Sequence, residues 1–313
     1  MLNIIILEGR TRIMKKKIIE HIRHLFWAPS VPLFDPWNAI KAIVRGKSHV
    51  KTGKPCQDFS HYSVSGDRVI GIICDGAGSA KRSDIGSKWL TELMEYQLDR
   101  IPADECGEML ERSMIIAVNQ ARERYLQRMF ESYHNPSDYA TTLIAIIILR
   151  DAFAVAHIGD GAAAARIDGK LKLISKPENG EYANQTFFIT GRNWYRHLRI
   201  LVGHSIGLEA VALMSDGVTP ALVDLKIEQP APAIDDLFLA VSKGQGSDKD
   251  LESILESDMF SSRSFDDKSM VLISRLASFK KNGEGNTKIE EYIEPGDGVD
   301  TKEICTTPDT DKI

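Results

Sequence analysis

A chain of 313 residues, 43% apolar and 27% charged, can build one large folded domain or two small ones. Its formal net charge of -5 weighs against a nucleic-acid binder, which would carry a basic patch or domain. Cys56, Cys74, Cys106 and Cys305 are widely spaced, with no CxxC and no Cys/His cluster. Neither a zinc site nor a disulfide framework is therefore indicated, and a reducing, cytoplasmic setting is expected.

The apolar start Met1 to Leu7 is cut short by Glu8, Gly9 and Arg10, and later apolar runs such as Leu143 to Leu149 are too short for a bilayer. A soluble protein without a transmembrane segment is expected. Residues 1–40 read as an N-terminal extension. Within it, Lys15, Lys16 and Lys17 precede Ile18, Ile19, Ile22, Leu25 and Phe26 at helical spacing, a basic amphipathic helix that Pro29 to Pro36 ends. Packing on its own domain is preferred for this helix over contact with a membrane or partner.

Residues 41–277 form the expected folded domain. Arg68 to Cys74 is a buried strand that ends in the turn Asp75-Gly76-Ala77-Gly78-Ser79. Two helices follow. Ser83 to Asp99 carries Ile85, Trp89, Leu93 and Leu98, and Glu105 to Tyr133 carries Met109, Leu110, Ile116 and Val118 as apolar face. Strands are then expected at Tyr139 to Leu149, Ala152 to Ile158, Ala162 to Ile167 and Leu171 to Ser175, with Asp168-Gly169 suited to a type I′ hairpin turn. Further strands are expected at Gln185 to Thr190, Ile200 to Val202, Val211 to Ser215 and Ser269 to Arg275, and helices at Asp235 to Ser242 and Lys249 to Glu256. Strands in runs and helices in blocks indicate an α+β fold with helices outside packed sheets. Residues 278–313 are polar and low in apolar content, the composition of a disordered tail.

Asp58, Asp75, Asp160, Asp216 and Asp266 each stand at a strand end or tight turn, three of them straight after an apolar run. Any one Asp-Gly pair is more often a turn than a ligand, since both residues favour turns for conformational reasons. The combination carries more weight. Carboxylates that converge without basic partners repel, and a shared site then needs a cation. Oxygen-only ligands select hard ions such as magnesium or manganese and argue against zinc.

The ordered series Cys56-Gln57-Asp58, Cys74-Asp75-Gly76-Ala77-Gly78-Ser79, Ala140-Thr141-Thr142, His157-Ile158-Gly159-Asp160-Gly161, Ser215-Asp216-Gly217-Val218 and Asp266-Asp267-Lys268-Ser269 resembles the protein phosphatase type 2C (PPM) family. Gly46-Lys47-Ser48-His49, Pro55-Cys56-Gln57-Asp58 and Gly180-Glu181-Tyr182-Ala183-Asn184 look like a bacterial branch of it, often found beside a serine/threonine kinase. The resemblance implies a four-layer α-β-β-α sandwich of two antiparallel sheets. It also implies hydrolysis of phosphoserine or phosphothreonine in a phosphoprotein, a kinase or its target, by a metal-activated water without a phosphoenzyme. By position, Asp75 would bridge two manganese or magnesium ions, with the Gly76 carbonyl, Asp216 and Asp266 on the first and Asp58 on the second. Asp160 would hold a third, weaker ion with Asp216.

Departures from the family pattern matter as much. Gln57 replaces a glutamate, Ala77 a histidine, Pro220 a further acid, and Gly53 the arginine that would bind phosphate. His49 is the first choice to replace that arginine, with Lys51 and Lys54 behind it. Gly53 and Gln57 support a rival reading, a catalytically silent phosphoprotein-binding or scaffold module; hydrolysis of a small-molecule phosphate is a third. Lys176 to Arg199 falls where the family carries a flap, and a surface loop with packed aromatics is the plain alternative.

Overall fold

The computed structural model describes residues 36–178 and 186–277. The expected helix at Met14 to Phe26 and the tail at 278–313 lie outside the described residues.

Twelve strands make two five-stranded antiparallel sheets and a two-stranded ladder among the described residues. One sheet has the order β1(Trp37–Val44)-β12(Lys268–Arg275)-β9(Leu208–Met214)-β6(Ala162–Ile167)-β7(Lys170–Ser175). The other runs β2(Asp58–Val64)-β3(Val69–Asp75)-β4(Leu143–Ile148)-β5(Ala152–Ile158)-β8(Arg199–His204). The ladder pairs β10(Val223–Asp224) with β11(Gln229–Pro230). Helices α1(Lys47–Thr52), α2(Ser83–Leu98), α3(Gly107–Glu131), α4(Trp194–His197), α5(Thr219–Leu222), α6(Ala233–Ser242), α7(Asp248–Glu256) and α8(Asp258–Ser261), with a 3-10 turn at Pro136–Tyr139, complete the described elements.

The layering follows from the strands' alternation. On β4, Leu143, Ala145 and Ile147 join the core under α2 and α3, while Ile144, Ile146 and Ile148 point into the seam between the sheets. Trp37, Val69, Val155, Val211, Leu213 and Ile273 fill the same seam. A third core, with Ile234, Phe238, Leu251 and Leu255, seals the far sheet under α6 and α7. Both faces of β4 and β5 are therefore dry, which is why they appear in the sequence as unbroken apolar runs. The result is the expected α-β-β-α sandwich. No helix among the described residues is long and apolar enough to cross a membrane.

Differences from expectation have local causes. The domain begins before residue 41, because β1 starts at Trp37 and pairs along its length with β12. The buried stripe of α3 is Leu110, Met114, Ala117, Val118, Ala121, Tyr125 and Met129, whereas Met109 and Ile116 are 63% and 53% exposed. On α2 the stripe is Gly86, Leu90, Met94 and Leu98, so Ile85 faces solvent and Trp89 and Leu93 sit at the margin. The strand expected from Tyr139 begins only at Leu143, because Pro136–Tyr139 winds as a 3-10 turn. Within 186–190 no strand forms; Ile189 is buried and its N–H donates to the Thr141 carbonyl. Asp168 and Gly169 both take positive φ, 51° and 70°, as a type I′ turn requires.

Candidate active site

The two sheets bring their acidic strand ends to one edge. In the β2–β3 ladder Asp58 lies directly opposite Asp75, a like-charge pairing that destabilises a bare sheet. From the other sheet come Asp216, two residues past β9, and Asp266, two before β12. Asp160 belongs to the crossover between β5 and β6, which belong to different sheets. Carboxylate oxygens of Asp75, Asp160 and Asp216 lie within 4.8 Å of one another. Asp75 and Asp216 come one from each sheet, so this cluster joins the two halves of the sandwich. The charge of Asp266 acts on both Asp160 and Asp216.

The backbone around these acids is braced. Thr141 and Thr142, expected to serve as strand formers, instead grip Asp75. The Thr141 hydroxyl and the Thr142 N–H donate to the Asp75 carbonyl at 2.8 Å each, and the Asp75 N–H donates to Thr142 Oγ1 at 3.0 Å. The Thr186 hydroxyl donates to Asp160 Oδ2 at 2.5 Å. A Cβ on Gly217 would stand 1.9 Å from the Asp267 carbonyl, so only glycine lets the β9 end approach the β12 start.

Electrostatics give the same picture. Burial, then the charges of Asp216 and Asp267, push Asp58 up to about 8. Burial likewise pushes Asp216 up to about 6 and raises Asp75 and Asp160, with neighbouring carboxylates adding to each. Asp58 Oδ2 is buried with no hydrogen-bond partner. An orphaned carboxylate oxygen beside converging acids fits a hard divalent cation. A carboxyl with a raised folded-state pKa binds its proton more tightly folded than unfolded. Its stabilising contribution is complete below the ordinary value of 3.8 and is lost as pH rises through about 6 to about 8. The metal-free protein should therefore melt at a lower temperature at pH 8 than at pH 5, and millimolar manganese should raise the pH 8 value most. A flat or rising profile without metal would contradict this clustering.

Asp267, not assigned a role from sequence, is a clamp. Its carboxylate accepts from the Gly46 N–H at 2.6 Å and the Gln57 N–H at 2.5 Å, and pairs with His49 Nδ1 at 2.7 Å. It thereby fixes both ends of the α1 segment to the root of β12. His49, expected to meet phosphate, is committed to this clamp, with its side chain only 9% exposed. Gly53 caps α1 at φ 73°, a left-handed conformation in which an arginine would be strained. Lys54 follows it, and its Nζ donates to the Gly78 carbonyl at 2.8 Å, on the turn that begins with Asp75. Lys51 is exposed and makes no such contact. Lys268, also unassigned from sequence, is buried with its Nζ on the Asp266 carbonyl at 3.0 Å.

In the flap region the aromatics are packed. Phe187 stacks on His197 with centroids 3.4 Å apart, and Arg122 of α3 lies over Trp194 and donates to the Ile189 carbonyl at 2.7 Å.

Residues 45–256 match the family model described as protein phosphatase 2C. Serine/threonine-protein phosphatase 3 of Escherichia coli (strain K12) is 25% identical over 250 residues, covering 75% of this chain and 97% of that protein. Among solved structures, serine/threonine phosphatase Stp1 from Staphylococcus aureus superposes with a TM-score of 0.57 at 15% identity, covering 79% of this chain and 98% of its own. The catalytic domain of the phosphatase PstP, in complex with two manganese ions, gives 0.53 at 15%, over 77% and 99%. Those structures speak for the fold, and the family match over more than half of the sequence speaks for descent: the chain belongs to the protein phosphatase 2C family and is a protein serine/threonine phosphatase.

Proposed function

We propose that this phosphatase releases phosphate from phosphoserine and phosphothreonine by a metal-activated water and opposes a serine/threonine kinase, whose own phosphosites or targets are its substrates. The observation that carries the mechanism is the Asp75–Asp216 pair, two half-buried carboxylates from different sheets whose oxygens lie within 4.8 Å of each other and of Asp160. Such a pair is stable in its charged form only around a cation. The ligands would be Asp75, the Gly76 carbonyl, Asp216 and Asp266 for one manganese or magnesium ion, Asp58 for a second, and Asp160 with Asp216 for a third. Divalent cations held there would supply the Lewis-acid charge that activates a water for in-line attack on phosphorus.

The remaining steps belong to the chain. Thr141 and Thr142 hold the Asp75 backbone so that its carboxylate does not reorganise during turnover. The Asp267 clamp keeps Asp58 in register by fixing the Gln57 N–H before it. Lys54 takes the place of the missing arginine, since it is exposed at the Asp75 turn while His49 is tied down. The kinase-opposing role is supported by the likeness of residues 46–49, 55–58 and 180–184 to the kinase-associated bacterial branch. The silent-module reading is not favoured, because Asp75, Asp216 and Asp266 are all retained at one edge of the sandwich.

The test is phosphate release from a phosphothreonine peptide with manganese, with magnesium and with excess chelator. Metal-dependent release that chelator abolishes is expected. Folded protein inactive with every divalent metal would favour the silent module instead.

A further inference from the structure

Around the acidic site the surface changes sign. Residues 45–54 contain Arg45, Lys47, Lys51 and Lys54 and no acid, in a chain of net charge -5. All four are exposed. Lys47 and Lys51 are four residues apart on α1 and share one face, an arrangement that is locally unfavourable for a helix. Of the nearby acids, Asp267 is engaged by Gly46, Gln57 and His49, and Asp266 is assigned to the metal set. Several other basic side chains of the folded domain are engaged. Arg166 pairs with Glu209 and Asp235, Lys176 with Glu228, and Arg199 with Glu178. Among the described residues neither Lys47 nor Lys51 has an ion-pair partner.

The ledge also touches the site. Ser48 donates its N–H and hydroxyl to the Phe265 carbonyl, immediately before Asp266, and the Lys47 charge acts on Lys268. Val50 and Phe265, 59% and 63% exposed, add apolar surface beside the lysines. A phosphate seated at the metal site would thus leave its neighbouring residues against a cationic ledge.

We propose that α1 is a docking surface for acidic residues flanking the phosphoresidue of the substrate protein, with Lys47 and Lys51 as specificity determinants. The inference rests on the phosphatase reading above and narrows its substrates to phosphosites in acidic sequence. Exposed lysines meeting carboxylates act mainly through long-range attraction, so the effect should be carried by KM and weakened by salt.

Three substrates test it under identical metal conditions: a small aryl phosphate, a phosphothreonine peptide with glutamates on both sides, and the same peptide with glutamines. The acidic peptide should exceed the neutral one by about tenfold in kcat/KM at low salt. The ratio should shrink in high salt and fall to one or below in Lys47→Glu/Lys51→Glu. Turnover of the aryl phosphate should be unchanged in that variant, which shows that fold and chemistry survive. Lys47→Arg/Lys51→Arg should retain the preference. Equal kcat/KM for the two peptides in the native protein, or a preference that persists in the charge-reversed variant, overturns the proposal. Peptide binding to the Asp75→Asn protein, followed by fluorescence anisotropy, reads docking without turnover. Failure to hydrolyse any of the three would count against the proposed chemistry, while the anisotropy ratio would still decide the docking surface.

Discussion

Asp75→Asn should lower turnover of a phosphothreonine peptide by about 10³-fold or more, the scale on which a preorganised electrostatic element acts. Asp75 is the carboxylate that faces Asp58 across the ladder and Asp216 across the sheets. An amide there keeps the shape and the threonine brace, because both bonds from Thr141 and Thr142 go to the backbone of residue 75. It removes the charge that would balance two cations. The same loss of charge relieves repulsion in the metal-free state, so the variant should melt no lower than the native protein without metal. It should then gain little when manganese is added. Calorimetric titration with manganese and a thermal melt, run beside the kinetics, separate these effects. An active Asp75→Asn protein, or one that binds manganese with native affinity, would refute the ligand assignment.

Asp267→Ala should be the most destabilising single change near the site, at about 3–5 kcal/mol, since each buried polar group left without its partner costs about 1–3 kcal/mol. The substitution leaves the Gly46 and Gln57 N–H groups and His49 Nδ1 without their acceptor in a buried place. Urea denaturation of the metal-free protein measures it, with an unchanged slope expected because the fold is retained. His49→Ala supplies the contrast. As a strut, its loss should reduce stability and leave KM nearly unchanged, and its cost should be far from additive with that of Asp267→Ala. Were His49 a phosphate ligand, KM would rise with little change in stability, and Lys54 would lose its proposed place.

The two predictions mark the boundary of what the sequence discloses. Asp58, Asp75, Asp160, Asp216 and Asp266 stand out in the sequence because each lies next to a strand end or tight turn and because their order resembles a family pattern. Asp267 was not. It stands next to Asp266, and only the alternation at the root of β12 sends one carboxylate to solvent and the other into the clamp. The central strands were also legible, since β5 and β6 have the bounds that apolar runs and Asp-Gly turns suggest. α1 and β2 escaped notice for an opposite reason. Buried positions on α1 and β2 are held by His49, Asp58 and Ser60, so polarity hides their burial. The stripes of α2 and α3 slipped by about one position because exposed Ile85, Met109 and Ile116 compete with the true face. Periodicity cannot rank two apolar stripes that differ by one residue.

The pairing of β1 with β12, Trp37 opposite Arg275, has a consequence for the order of events in synthesis. Asp58 and Asp75 leave the ribosome early, but Asp266 and β12, the strand that joins β1 to β9, are among the last of the described residues to emerge. Until then β1 has no neighbour, the α1 segment has no Asp267 to hold it, and the early acids have no counterparts. Contacts of such sequence separation form late and slowly. The acidic edge of the sandwich is therefore assembled only when the last of the described strands is in place.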